Sequence, residues 1–153
     1  MSLQDELKQT RPFPSLQEEA VIAIARTAAV LTHNGAEAIK PFGLTPTQYN
    51  ALRILRGSEP NGLCRNEIRD RLITRVPDVT RLLDRLADMG LVVRGREDDD
   101  RRLVRTRITR KGLELIAPLD EILTRLHARQ LARVPPDQLR TLVDTLAAAR
   151  AGL

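Results

Sequence analysis

The sequence predicts a mainly α fold carrying one small β-hairpin. Three observations lead there. Apolar residues recur at helical spacing along most of the chain. Between residues 91 and 109 that period drops to two, on either side of a polar tip. The excess positive charge is confined to the same third of the chain.

The bulk properties set bounds on function. The 153 residues suit one domain, or one core with an added dimerisation layer. Hydrophobic residues make up 42 % and charged residues 29 %, which fits a globular protein and argues against wholesale disorder. Aromatics are 2 %, namely Phe13, Phe42 and Tyr49. The core must therefore be aliphatic, and stacking on single-stranded bases lacks platforms. No apolar run reaches the length that crosses a bilayer. MSLQDELKQT lacks the basic start and apolar stretch of a secretory signal, so a cytoplasmic location is expected. Cys64 is the lone cysteine, which excludes an intrachain disulfide and argues against a cysteine zinc site.

Charge location matters more than its size. Residues 64–111 hold 14 Lys and Arg against 9 Asp and Glu, a net of +5, while the rest holds 11 of each. The whole excess thus sits in one segment, the footprint expected for a polyanionic partner.

Residues 15–40 read as a long helix. Val21, Ile22, Ala25, Ala28, Ala29 and Leu31 give it a broad apolar face, bounded by Pro14 and Pro41. A second helix over 45–57 has Thr45 as cap, Pro46 in the first position and Gln48 where a capping box needs it. Gly57 and SEPNG break the chain. A short helix over 64–73 puts Cys64 in the capping slot, with Glu67 three residues on and Ile68 and Leu72 turned inward. After a tight turn, a fourth helix is expected from about Arg75 to Met89, with Pro77 in its first turn and Gly90 as its stop. Val79, Leu82, Leu83, Leu86 and Met89 form its buried face. Then Val92, Arg94 and Arg96 alternate with Leu91, Val93 and Gly95, and Val104, Thr106 and Ile108 alternate with Leu103, Arg105 and Arg107. These segments, joined by EDDDRR, form an antiparallel hairpin. Thr109 caps a long helix over 110–133, and a final amphipathic helix spans 137–150. The wide apolar stripes of the terminal helices need more cover than one chain offers, which favours a homodimer.

Two short helices with a tight turn, followed by a basic hairpin, make a winged helix-turn-helix centred on residues 64–111. Such a unit docks its second helix in the major groove of duplex DNA, with the N-terminal side chains at the base edges. Here that turn offers Arg75, Asp78, Thr80 and Arg81. Arg81 has the guanidinium fork for guanine, and Thr80 with the helix N-terminus suits a phosphate. At the hairpin tip, Asp98, Asp99 and Asp100 adjoin Arg101 and Arg102. One carboxylate paired to an arginine would fix that guanidinium for a narrow minor groove.

The run Ile68-x3-Leu72, then RVPDVTRLLDRLADMGLV (75–92), R-x-R-x3-DRR (94–102) and RIT-x2-G (107–112) resembles the MarR family of winged-helix regulators. GLTPTQY (43–49) resembles the start of that family's second helix, and the likeness runs over roughly residues 20–150. It implies a single domain over 1–153, with a DNA-binding unit at 44–111 and a helical dimerisation region at 12–41 and 110–151. It further implies a homodimer on a pseudo-palindromic operator, a repressor released by a small-molecule effector, and no cofactor. By the resemblance, Asp78, Thr80 and Arg81 read bases and phosphates. Asp100 and Arg102 form the wing pair, Arg94 and Arg96 neutralise backbone charge, and Arg65 and Asn66 touch phosphate. Cys64 departs from the pattern, since a hydroxyl cap is commoner there. Asp78 at the reading tip is unfavourable near phosphate, unless it accepts from cytosine or orients Arg81.

Other readings carry less. Cys64 beside Arg65 suggests an oxidant sensor, but the family's sensing cysteine lies in the first helix. His33 and His127 stand far apart, and the three aspartates read better as a solvated tip than as a metal cluster. No catalytic constellation supports an enzyme. The competing class is a dimeric winged-helix adaptor that binds protein rather than DNA.

Overall fold

The computed structural model describes residues 1–96 and 102–153. The chain begins with a one-turn helix, α1 (Leu3–Glu6), closed by a reciprocal cap between Ser2 and Asp5. α2 (Leu16–Ile39) is capped by Ser15, whose hydroxyl accepts from the Glu18 N–H at 3.1 Å. It runs into a 3-10 turn at Lys40–Phe42. α3 (Pro46–Arg56) shows the expected box: the Gln48 N–H donates to Thr45 Oγ1 at 3.2 Å, and the Thr45 N–H donates to Gln48 Oε1 at 2.9 Å.

The next segment differs from expectation. Leu63–Cys64 forms a strand, β1, ahead of α4 (Arg65–Arg71). β2 (Val92–Arg96) and β3 (Val104–Ile108) pair antiparallel, and β1 pairs with β3 through Leu63↔Thr106 and Cys64↔Arg105. The sheet is therefore three-stranded in the order β1-β3-β2, not a bare hairpin. Two residues are too few for alternation to register, so the sequence pattern could not show β1. Gly62 carries the remaining signal. It sits at φ 69°, and a Cβ there would lie 2.5 Å from the Thr106 carbonyl oxygen. Only glycine lets the chain enter the sheet this closely.

α5 spans Val79–Asp88, so the start expected near Arg75 is corrected. Pro77 biases Val76 away from helical backbone. Asp78 then caps the helix, its Oδ1 accepting from the Arg81 N–H at 2.9 Å. Arg75 consequently lies in the loop before the cap, outside the helix's first turn. The preceding turn is pinned to α3 by Asn50, whose Oδ1 accepts from the Ile73 N–H at 3.0 Å. α4 also ends earlier than expected, because Leu72 is extended. Gly90 stops α5 as anticipated.

α6 (Arg110–Gln130) starts at Thr109, whose Oγ1 accepts from the Gly112 N–H at 3.1 Å and donates to the Gly90 carbonyl at 2.7 Å. Lys111 Nζ donates to the Met89 carbonyl at 2.9 Å, tying the start of α6 to the end of α5. Gly112 is required by close approach, since a Cβ would stand 2.5 Å from the Leu91 carbonyl oxygen. Pro118 lies inside α6 and leaves the Glu114 carbonyl without its helical donor. α7 covers Pro136–Ala151.

The chain divides into two compact units, Met1–Leu119 and Asp120–Leu153. In the first, α3 packs on β3 and α4, α4 on α5, and α5 on β2. Leu52, Leu55, Ile68, Leu86, Leu91, Ile116 and Leu119 are fully buried there. Each contributes about 1.5–3 kcal/mol of burial. Among the described residues the core is aliphatic apart from Tyr49 and Thr106, in keeping with the composition. α2 has one buried residue, Ile39. In the second unit α7 has none, and Leu142 and Val143 are exposed.

Candidate nucleic-acid interface

The residues expected to meet DNA come from α4, the α5 N-terminus and the wing strands, and the fold of the first unit brings most of them together. A cleft of about 380 Å³ is lined by Arg65 and Asn66 of α4, Thr80 of α5, Arg94 of β2 and Arg102 beyond the tip. Cys64, Leu83 and Thr106 contribute further walls. A smaller hollow of about 180 Å³ adjoins it, between Arg65, Asn66 and Arg69 on one side and Pro77, Asp78 and Thr80 on the other. Arg65 and Asn66 stand at the junction of the two. A third groove, lined by Arg94, Arg96, Arg105 and Arg107, lies on the wing. Arg75 and Arg81 are exposed outside these hollows.

Local chemistry explains the placement of each group. Cys64 caps α4 in an unusual way. Its backbone N–H donates to Glu67 Oε2 at 2.8 Å, so the carboxylate supplies the return half of a capping box. That bond, aided by the nearby Arg105, holds the Glu67 carboxyl below its usual value of 4.5. Arg65, the first residue of α4, donates from Nη1 to Thr80 Oγ1 at 3.2 Å. This bond places a guanidinium of the first helix over the first turn of the second. Asp78 is occupied as the α5 cap, which gives the acid at the start of this helix a role within the protein. Its charge also complements the helix N-terminus.

The arginines divide into two groups. Arg94 is ion-paired with Asp84 of α5. Arg107 Nη2 lies 3.0 Å from Glu59 Oε2. Arg105 Nη1 donates to the Gly62 carbonyl at 3.2 Å and lies 3.7 Å from Glu67 Oε2. By contrast, Arg75, Arg81 and Arg96 make no ion pair among the described residues. Sequence reasoning did not assign Arg105 and Arg107, and the signal for them was the pleat: both are strand residues of β3 within reach of the β1 loop. It also missed Arg69 beside the smaller hollow. The expected wing pair involves Asp100, which lies outside the described residues, as do Asp98, Asp99 and Arg101. Arg102 is exposed.

Among the described residues no helix is long and apolar enough to cross a membrane.

Known proteins share the fold of this chain. The MarR family profile matches residues 42–103, which takes in α3, β1, α4, α5 and β2 and stops before β3. A MarR transcription factor from Planctomyces limnophilus, solved as a crystal structure, is 39 % identical. The match covers 90 % of this chain and 99 % of that one, with a TM-score of 0.68. The transcriptional repressor CouR, solved bound to a 23-mer DNA duplex, is 26 % identical over 98 % of this chain and 99 % of its own, with a TM-score of 0.76. The uncharacterised HTH-type transcriptional regulator YkoM of Bacillus subtilis is 28 % identical over 122 residues, which is 80 % of this chain and 78 % of that relative.

Proposed function

This chain belongs to the MarR family of DNA-binding transcription regulators, and from that premise we propose that it is a homodimeric repressor of a pseudo-palindromic operator, released by a small-molecule effector. α5 enters the major groove and the wing lies over the flanking minor groove. One observation carries the reading. In the first turn of α5 Thr80 and Arg81 are exposed, the preceding Asp78 serves as the helix cap, and Arg65 and Thr80 are bonded across the helix-turn-helix.

The roles follow from that arrangement. Arg81 makes the bidentate contact to guanine. Arg65, Asn66 and Thr80 hold one phosphate, with Arg75 in the preceding loop adding charge. Asp78 acts through the cap. Arg102, paired with Asp100, enters the minor groove, while Arg94 and Arg96 stand on the wing strand that follows the backbone. The homodimer reading is supported by apolar residues that the chain leaves in water. Val21, Ile24 and Val30 of α2 are exposed, as are Leu142 and Val143 of α7. A 24-residue helix with one buried residue needs further cover to be stable. The operator symmetry follows from the two-fold of such a dimer.

The test is selection of duplexes from a random-sequence pool by the full-length protein, followed by footprinting and a solution mass. The expected result is an inverted repeat whose half-sites are about one helical turn apart, protected by two chains. Failure to enrich any duplex would favour the protein-binding adaptor instead.

A further inference from the structure

The ion pair between Asp84 and Arg94 joins the two parts of the molecule that must meet DNA together. Asp84 lies on α5, one residue past buried Leu83 and two before buried Leu86. Arg94 lies on β2, in register with Thr106 of β3. Two residues earlier on the same strand, Val92 is in register with Ile108. Val92, Thr106 and Ile108 are all buried. Directly opposed residues, and residues two apart, share one face of a sheet. Arg94 therefore projects from the face that covers the core, and α5 packs on that face. Its side chain is 31 % exposed, against 92 % for the solvated Arg110 of another ion pair.

The base of the wing is already held near Gly90 by Thr109 and Lys111. Arg94 lies further along β2 toward the tip, so a bond there acts on the wing's angle rather than its attachment. It also stands on the wall of the cleft shared by Arg65, Thr80 and Arg102.

We propose that Asp84 and Arg94 are positioning residues: their ion pair clamps β2 against α5, sets where the wing stands relative to the reading helix, and occupies the charge of Arg94 within the protein instead of on a phosphate. This rests on the DNA-reading function proposed above, and it replaces the backbone-neutralising role expected for Arg94.

Neutralisation separates the clamp from a DNA contact. Removing a carboxylate from a DNA-facing surface ordinarily strengthens binding, because it removes a repulsion. The clamp requires the opposite. The probe is the duplex enriched by the wild-type protein, titrated at several salt concentrations with the full-length variants Asp84→Asn, Arg94→Gln and the two combined. Circular dichroism melting establishes that each variant is folded, as expected for partly exposed side chains. Each single variant should weaken binding about 2- to 5-fold, the range of a partly exposed ion pair. The combined variant should be no weaker than either alone, and the slope of log affinity against log salt should not change. The charge swap Asp84→Arg with Arg94→Asp should restore most of the affinity lost by Arg94→Asp alone.

Tighter or unchanged binding by Asp84→Asn would overturn the clamp. So would additive losses in the combined variant, or a salt slope lowered by about 0.9 in Arg94→Gln, the mark of one lost phosphate contact. A wild-type protein that binds no duplex would overturn the DNA reading itself, a result distinct from each of these.

Discussion

Arg81 and Arg107 belong to the same basic third of the chain, yet their circumstances differ. Arg107 sits on β3 with its guanidinium 3.0 Å from the Glu59 carboxylate. Arg81 sits in the first turn of α5 and makes no ion pair among the described residues. The same contrast holds more widely. Arg94 and Arg105, also on strands, have carboxylates beside them, whereas Arg75 in the loop before α5 has none among the described residues. Arg96 near the tip is the strand exception. A count of charge treats all of these alike. The structure separates cations that tie the sheet to its surroundings from cations that make no ion pair among the described residues.

The contrast is sharpest at Arg81. Arg81→Ala should cost about 1–3 kcal/mol of DNA affinity and relax specificity at one base position. Competition among duplexes varied at each position measures both effects. Next in size, Arg102→Ala should weaken binding evenly across sequences and lower the salt slope by about 0.9. A change in base preference there would place Arg102 among the readers instead. Arg107→Gln should behave in the opposite manner. Affinity and salt slope stay at wild-type values, and urea unfolding shows a loss of at most about 1 kcal/mol, as for a partly exposed pair. A clear loss of DNA affinity would dissolve the division between the two groups.

The smallest effect concerns the cap beneath Arg65. Glu67 titrates below its usual value because the Cys64 N–H donates to it. A group whose folded pKa is lowered adds stability above its unfolded pKa, and that stability is lost as pH falls through the folded value. Wild type should therefore exceed Glu67→Gln in urea midpoint at neutral pH, by a small margin that narrows as the pH falls below the ordinary carboxylate value and closes below the lowered one. A margin that persists in acid would assign the effect to packing rather than to the ionised cap.

Much of the fold is legible in the amino-acid sequence. The Thr45 and Gln48 box, the Gly90 stop and the Thr109 cap are short-range signals, and each is present. Val79, Leu82, Leu83 and Leu86 recur at helical spacing and are buried. The features that local pattern hides depend on partners distant along the chain. β1 is two residues long and exists only because β3 passes beside it, an approach that Gly62 permits. α5 starts at Val79 rather than Arg75 because the Asp78 cap outweighs helical periodicity. Asp84 and Arg94 lie ten residues apart on different elements, so no local pattern could reveal their pairing. Within the site, the gathering of Arg65, Asn66 and Thr80 follows from the helix-turn-helix order. The direct Arg65–Thr80 bond does not, because it depends on how closely α4 and α5 approach.

The most direct measurement compares salt slopes on the enriched duplex for wild type and two double variants. Arg65→Gln with Arg102→Gln removes two cations proposed to face DNA, and Arg105→Gln with Arg107→Gln removes two held by carboxylates. The wild-type protein should show a steep loss of affinity with salt, and the first double variant a slope shallower by about 1.8. The second should match wild type. A flat wild-type response, or a slope lowered by the second pair rather than the first, would contradict the account.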